Sequence, residues 1–524
     1  MKMKNIIWLF ALLFACFACY DDKGNYDYSE TNEITIDLRN TQYSAVAGQT
    51  INIEPVLTFA RDSNETGLEF EWKLGNKLLS NERNLSYYVD TILKENCYFR
   101  VLDTKSGITY MAYTNFELTE KFNNQGWLIL AEKDGESCLT YMKEVYDATV
   151  PGNYTYEEYP DVYQSENNAK LGGKPVGLLE HFYYGSNASN IWVLVDGAES
   201  VDLGATSFKR DITLKESFLD EHLPANFAPL AMAEMRWVSA VVNKSDHKVY
   251  TRIKLSDKSF FTGSFLDSPL QYEGEDLYVT DFVIAPFMGP GYTLMVEGEK
   301  GHQRYLALVD KDKSNAGKVL PLTVSGTYPA GFSSLDDLGD MEVVYTGYSR
   351  VSSNSSGTNR YHSVLRNPAG EYYYHEFTIA KMTGTSTVIA TPEKQVKFDI
   401  GNILDENTLF YVAPYKENSY MLIAHGADLY MIDRANIGNA NMSSFVTLYK
   451  HFDANITALD AETYTSSRLG VGLENGKFYV LNIPTENNSN MPAEDERVMY
   501  ESEVNVGKVV DVRFRIKSGN AWPR

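Results

Sequence analysis

The 524-residue chain carries 70 Asp and Glu against 47 Lys and Arg, a formal charge of −23 at pH 7, with 44% hydrophobic residues. An acidic surface repels nucleic acid and anionic lipid, so neither is expected as a charge-held partner, and the length exceeds what one core fills, so at least two packed units are expected. The 37 Tyr, 25 Phe and 6 Trp, set among Gly, Asn and Asp turns with no sustained helical periodicity, predict an all-β protein.

Lys2 and Lys4 precede an apolar run from Ile6 to Phe17, too short to span a bilayer comfortably but the length of a secretory core segment. A small residue stands directly before a cysteine twice, at Ala15-Cys16 and Ala18-Cys19. This resembles a bacterial lipoprotein signal, in which the cysteine is acylated and becomes the new N-terminus. Cys16 has Leu13 three residues before it, whereas Cys19 is followed by Tyr20-Asp21-Asp22-Lys23, which resembles the acidic surface-export tag of Bacteroidota lipoproteins. Cys19 is therefore the expected lipidation site, with Cys16 as the alternative and a plain secretory signal as the simpler reading. Residues 1–18 then form the signal peptide, and the polar, aperiodic residues 19–32 a lipid-anchored tether. Cys97 and Cys138 fall in different predicted domains, so two buried free thiols are expected rather than a disulfide.

Over residues 33–121, short strand-like runs recur at Ile34 to Leu38, Thr50 to Leu57, Leu68 to Leu74, Leu85 to Val89, Tyr98 to Leu102 and Tyr110 to Leu118. Such runs, separated by Gly, Asn and Asp turns, suit an immunoglobulin-like β-sandwich, and alternation sends Phe70 and Trp72 to one face as core. Cys19 to Tyr28, Phe70-Glu71-Trp72 and Tyr98 to Gly107, continuing into Gly126 to Leu130, resemble the PKD-like lipoproteins of Bacteroidota. The resemblance implies a PKD-like sandwich and an accessory role beside SusC/SusD-type outer-membrane importers; it supplies no catalytic residues.

From residue 122 to 524 a hairpin of apolar strand, tight turn and aromatic-bearing strand recurs, most plainly at Tyr420 to Arg434. The aromatics expected in the second strands are Tyr141, Trp192, Tyr250, Tyr305, Tyr373, Tyr430 and Tyr479, about 56 residues apart. A unit of that size is one four-stranded blade with generous loops. This predicts a β-propeller, with seven blades favoured and eight left open by the long Tyr305 to Tyr373 interval. The alternating Lys508 to Ile516 is expected to pair with the first blade and close the ring.

Chemistry-bearing motifs are sparse. The eight histidines show no metal-binding spacing, Gly172-Gly173-Lys174-Pro175 fails as a phosphate loop, and Asp310 to Asn315 lacks the Gly and closing Glu of a calcium loop. Neither metal nor cofactor is expected. Asp336, Asp337 and Asp340 could serve glycoside hydrolysis only at a carboxylate separation that sequence does not give. The polar stretch from Pro151 to Gly173 holds Tyr154, Tyr156, Tyr159 and Tyr163 outside any evident strand, and Phe287 to Tyr292 forms a second aromatic loop. Tyr154, Tyr156, Tyr159, Tyr163 and Tyr292 are therefore the candidate ligand contacts, since a tyrosine ring stacks on sugars or peptide side chains while its hydroxyl hydrogen-bonds.

The expectation from the whole chain is a non-catalytic ligand-binding or accessory subunit in nutrient uptake, for glycan or peptide. It would be anchored to outer-membrane lipid through acylated Cys19 and face the cell exterior beside a SusC/SusD-type importer. The alternatives are a scaffold of the importer that never touches the nutrient, and a propeller hydrolase or lyase.

Overall fold

Apolar alternation over four to twelve residues, broken by Gly and Asx turns, yields strands almost throughout the chain. The computed structural model describes residues 31–182, 189–284, 290–351, 358–414, 419–463, 465–485 and 490–516. Cys16 and Cys19 lie outside the described residues, as do residues 287–289 of the second aromatic loop. The chain divides into two units, residues 1–120 and 121–524.

The first unit is a β-sandwich. Its larger sheet has five strands, ordered Gln42–Val46, Ile108–Thr119, Leu93–Asp103, Leu68–Leu74 and Lys77–Ser80, the first pair parallel. Two further pairs, Ile34–Asp37 with Val56–Phe59 and Thr50–Ile53 with Leu85–Tyr88, face it. Trp72 is fully buried, donates its indole N–H to the Arg83 carbonyl at 3.1 Å and packs on Phe99 at 4.4 Å between centroids. Phe70 stacks on Phe99 from the same face, as alternation requires. Cys97 lies in this core as a free thiol that burial pushes up to about 12, while Cys138, in the second unit, is also buried, free and shifted upward.

The second unit is a seven-bladed propeller. Its inner strands, in ring order, are Lys508–Arg515, Lys174–Phe182, Pro229–Glu234, Val279–Val283, Glu342–Arg350, Leu409–Val412 and Ile456–Ala461. The first blade is completed by strands from the opposite part of the chain. Gly126–Lys133, Glu136–Tyr146 and Tyr154–Tyr159 follow Lys508–Arg515 outward, with Gly126 opposite Arg515 and Leu128 opposite Arg513. This confirms the expected closure, and the interval that left eight blades open is spent otherwise. The fourth and fifth blades are joined by parallel pairing of their outer strands, Val319–Val324 with Val388–Lys397, after a long connection. The third blade has three strands, where the others have four.

No blade can cover both faces of its own sheet, so the core is divided among the seven blade interfaces. Leu128, Leu130 and Tyr141 meet Ile191, Val193 and Leu203 between the first and second blades. Trp127 and Ile129 meet Phe478, Val480 and Val512 at the seam between the seventh and first. Gly470 makes that seam close: a Cβ built there lies 2.7 Å from the Trp127 ring. Six of the seven repeat aromatics lie in the third strand of their blade, and Tyr141, Tyr250, Tyr305 and Tyr479 are buried at these interfaces. Trp192 departs from the expected place and stands in the second strand of its blade, because the third, Val201–Gly204, carries no aromatic.

Candidate functional site

A sheet edge exposes unpaired backbone N–H groups, and a propeller points one such edge per blade at its central axis. Here side chains of one inner strand satisfy the next. The Tyr345 hydroxyl accepts from Val412 N–H at 2.8 Å, and the Tyr411 hydroxyl from Ala461 N–H at 2.8 Å. Asp460 accepts from Phe514 N–H at 2.7 Å, and Asp511 from Leu178 N–H at 2.8 Å. Tyr411 also donates to Asp460 at 2.9 Å, which links the sixth and seventh blades. Around five consecutive blades, from the fourth to the first, these residues and Asp281 form a polar girdle on the channel wall. The second blade presents Gly177 at this level, where a Cβ would sit 3.5 Å from the Asp511 carboxylate.

The girdle is electrostatically unbalanced. Its cation is Arg513, whose guanidinium lies 3.4 Å from Asp511 and whose side chain is 46% exposed. Carboxylates held among protein atoms lose hydration, which disfavours their charge. Protein atoms crowded around the axis push Asp281, which is open to the channel, up to about 6 against the opposing pull of Phe282 N–H and Arg513, and half-buried Asp460 up to about 6 against Arg513. Glu180, from the second blade, is pushed up to about 7, burial outweighing a hydrogen bond from Ser189. Burial likewise raises the Tyr345, Tyr348 and Tyr411 hydroxyls, which stay protonated and able to donate. The arrangement can hold a polar ligand through carboxylates, hydroxyls and one guanidinium.

The sequence candidates are distributed differently. Tyr154, Tyr156 and Tyr159 are not in a loop; they lie in the outer strand Tyr154–Tyr159 of the first blade, paired with Glu136–Tyr146. Their rings are occupied by packing. Arg468 lies over Tyr154 at 4.5 Å, Tyr156 stacks on Tyr500 at 4.3 Å, and Tyr159 meets Phe122 edge-on at 5.1 Å. Tyr163 is the second residue of the short helix Val162–Asn167 and is buried with Val162 in the interface between the first and second blades. Tyr292 is buried between the fourth and fifth blades, its hydroxyl accepting from Tyr361 at 3.2 Å. Neither Tyr163 nor Tyr292 presents a surface to a ligand, because a polar turn sequence here covers a blade rather than standing free.

Asp336 and Asp337 stand with Tyr278, Glu299 and His302 around an open cleft of about 540 Å³ at the edge of the fourth blade. Asp310, at the head of the stretch that fails as a calcium loop, is buried and accepts from the backbone N–H groups of Arg236, Trp237 and Val238, tying the fourth blade to the third. Among the described residues no three metal-ligating side chains converge. Ser349, His362 and Glu376 bring the residue types of a nucleophilic triad together, with Ser349 Oγ 2.8 Å from His362 Nε2 and Tyr374 bridging His362 to Glu376. Ser349 and His362 are fully buried, and burial with Arg434 nearby holds the imidazole down to about 3, so the group packs the fifth blade rather than meeting a substrate.

Sequence reasoning missed the girdle because its carboxylates are spread one to a blade along the inner strands. Asp460 in Ile456–Ala461, Asp281 in Val279–Val283 and Asp511 in Lys508–Arg515 share that placement, visible only once the first strand of each blade is aligned.

No curated protein matches the chain in sequence. Among solved structures, a quinoprotein alcohol dehydrogenase-like protein of Bacteroides thetaiotaomicron is similar at 12% identity over 90% of this chain and 96% of that one, with a TM-score of 0.39. AztD of Citrobacter koseri is similar at 11% identity over 85% and 97%, TM-score 0.34. A β-propeller domain from Myceliophteria thermophila is similar at 8% identity over 65% and 90%, TM-score 0.36. The PKD-like family matches residues 19–175, so the chain carries a PKD-like region that runs through the sandwich and on into the first blade.

Proposed function

We propose that the chain is an outer-membrane surface lipoprotein acting as a non-catalytic ligand-binding or accessory subunit of a SusC/SusD-type importer, with its ligand, a glycan or a peptide, taken at the propeller channel. The observation that carries the binding role is the girdle: carboxylates, tyrosine hydroxyls and Arg513 converge on one axis, with Arg513 still partly open to solvent. The importer and anchor parts of the reading draw support from the PKD-like match at residues 19–175 and from the cysteine and acidic residues at Cys19 to Asp22. Acylated Cys19 holds the chain to the membrane, and the sandwich belongs to the anchored end of the sequence.

The test has two parts. Palmitate labelling of the wild type and of Cys19→Ala decides the anchor, with unchanged labelling moving it to Cys16. Affinity purification of the lipidated chain, followed by titration with glycans and short peptides, decides the role. Copurification of an importer together with ligand binding supports the proposal. Importer without any ligand binding favours the scaffold, and product formation from a bound glycan that is lost on Asp337→Asn makes the chain an enzyme.

A further inference from the structure

The channel wall contains more carboxylate than it neutralises. Asp281 receives a hydrogen bond from the backbone N–H of Phe282 at 2.8 Å, one of its two oxygens being so used. Among the described residues no Lys, Arg or His lies within ion-pair distance of it. Asp460 and Asp511 spend lone pairs on backbone N–H groups, and the one guanidinium between them, Arg513, contacts Asp511. Glu180 adds a further acid from the second blade, where buried Arg515 and hydrogen bonds from Ser189 and the Ile516 N–H oppose the effect of burial.

The other elements around the axis redress the balance only in part. The third blade's inner strand ends in Glu234, but that carboxylate turns away and is neutralised by Arg252 at 2.7 Å and Lys254 at 2.8 Å. The fifth contributes the Tyr345 and Tyr348 hydroxyls and one further cation, Arg350, which acts on Tyr348 at the end of the strand; the sixth contributes Tyr411. Tyrosine hydroxyls donate hydrogen bonds without adding positive charge.

Resting on the reading that the channel is the ligand site, we propose that the ligand it selects is cationic, a lysine or arginine side chain of a peptide held by the channel carboxylates Asp281 and Asp460. A neutral sugar exchanges one set of hydrogen bonds for another and leaves the carboxylates uncompensated. An ammonium or guanidinium group offsets their mutual repulsion and can lie against the faces of Tyr345 or Tyr411. An acidic sugar or peptide is rejected by the same field. The acids that the crowded channel wall holds near 6 supply a pH signature: they are ionised at pH 7.5 and take up protons by pH 5, so cation binding expels protons and weakens as pH falls.

The experiment titrates the purified chain with three probes: a short lysine-containing peptide, the same peptide acetylated on Nζ and at its amino terminus, and a neutral oligosaccharide. Two variants are compared, Asp281→Asn in the channel and the charge-matched Asp337→Asn at the outer cleft, since an acidic protein attracts any cation weakly. The lysine peptide is expected to bind at least about tenfold tighter than its acetylated form at pH 7.5, to lose about tenfold at pH 5, and to lose about tenfold in Asp281→Asn but not in Asp337→Asn. Circular dichroism of both variants establishes that they are folded. Equal binding of the acetylated peptide, or equal loss in the two variants, overturns the proposal. Binding of the oligosaccharide with loss in Asp281→Asn overturns the cationic ligand while leaving the channel as the site. Failure of all three probes overturns both.

Discussion

Replacing Arg515 with Leu tests whether the ring is held shut at its closing strand. Arg515 is fully buried, and its guanidinium donates to the carbonyls of Phe122 at 2.6 Å and Ala205, to the Asn124 carbonyl, and to the Tyr141 hydroxyl at 2.6 Å. These acceptors belong to the entry into the first blade, to the first blade itself and to the second, so one side chain gathers three segments around the last strand. Each charge-assisted hydrogen bond is worth about 1.5–3 kcal/mol, so four would give roughly 6–12 kcal/mol in isolation. Burying the guanidinium offsets several kcal/mol of that, while leucine keeps most of the volume and leaves buried carbonyls unpaired at about 1–3 kcal/mol each. The expected net loss is about 3–5 kcal/mol. Urea unfolding followed by the fluorescence of Trp127 and Trp192 measures it; Arg515→Lys, which cannot reach four acceptors at once, should fall between. A loss below about 1 kcal/mol for Arg515→Leu would refute the reasoning, because the carbonyls would then have found other partners.

Four further outcomes are expected. His375 is buried and held down to about 3, so the folded state keeps it neutral while the unfolded ring takes a proton near 6.5. Its contribution is therefore present above pH 6.5 and is lost as pH falls towards 3; between pH 7 and pH 4 the wild type should lose about 3 kcal/mol relative to His375→Phe, measured by unfolding at each pH. Equal slopes would show that the ring is hydrated. Tyr163→Ala should cost about 3–5 kcal/mol through its cavity, whereas Tyr156→Phe, which loses the hydroxyl contact to Glu144, should cost about 1 kcal/mol and leave ligand titrations unchanged. Gly470→Ala should cost about 1–3 kcal/mol in thermal or urea unfolding, because the new methyl meets the Trp127 ring; a neutral effect would mean the seam yields. Cys97 and Cys138 should resist a thiol reagent in the native protein and react once urea is added, and rapid native modification would contradict their burial.

The hairpins were legible in the sequence because the second and third strands of a blade are an apolar pair around a tight turn. Tyr420 to Arg434 reads directly as Tyr420–His425 and Asp428–Asp433. The closing strand was legible as well, its alternation fixing which side chains enter the seam. Outer strands were not. Tyr154–Tyr159 is polar on one side and partly buried on the other, so Tyr, Thr and Glu alternate without an aliphatic residue to mark a strand. In the sandwich, Gln42–Val46 and Lys77–Ser80 were missed because both are short and neither has a fully buried position. The girdle was hidden more deeply. A half-buried polar side chain in a strand carries no signal of its own, and only the ring shows that Tyr345, Tyr411, Asp460 and Asp511 each answer a backbone N–H on the neighbouring blade.

The first blade's inner strand, Lys508–Arg515, is made by the ribosome almost four hundred residues after Gly126–Lys133, the strand it pairs with. Until then the edge of Gly126–Lys133 has no inner neighbour, and Trp127 and Ile129 lack Val512 and Phe514. The blades in between can gain hairpins as they emerge, but the circle is a property of the finished polypeptide. A stop between the second blade and residue 508 would leave an open arc with two adhesive ends, one apolar face and one unpaired edge, so the closing strand decides whether the blades form a ring or a surface that sticks to others.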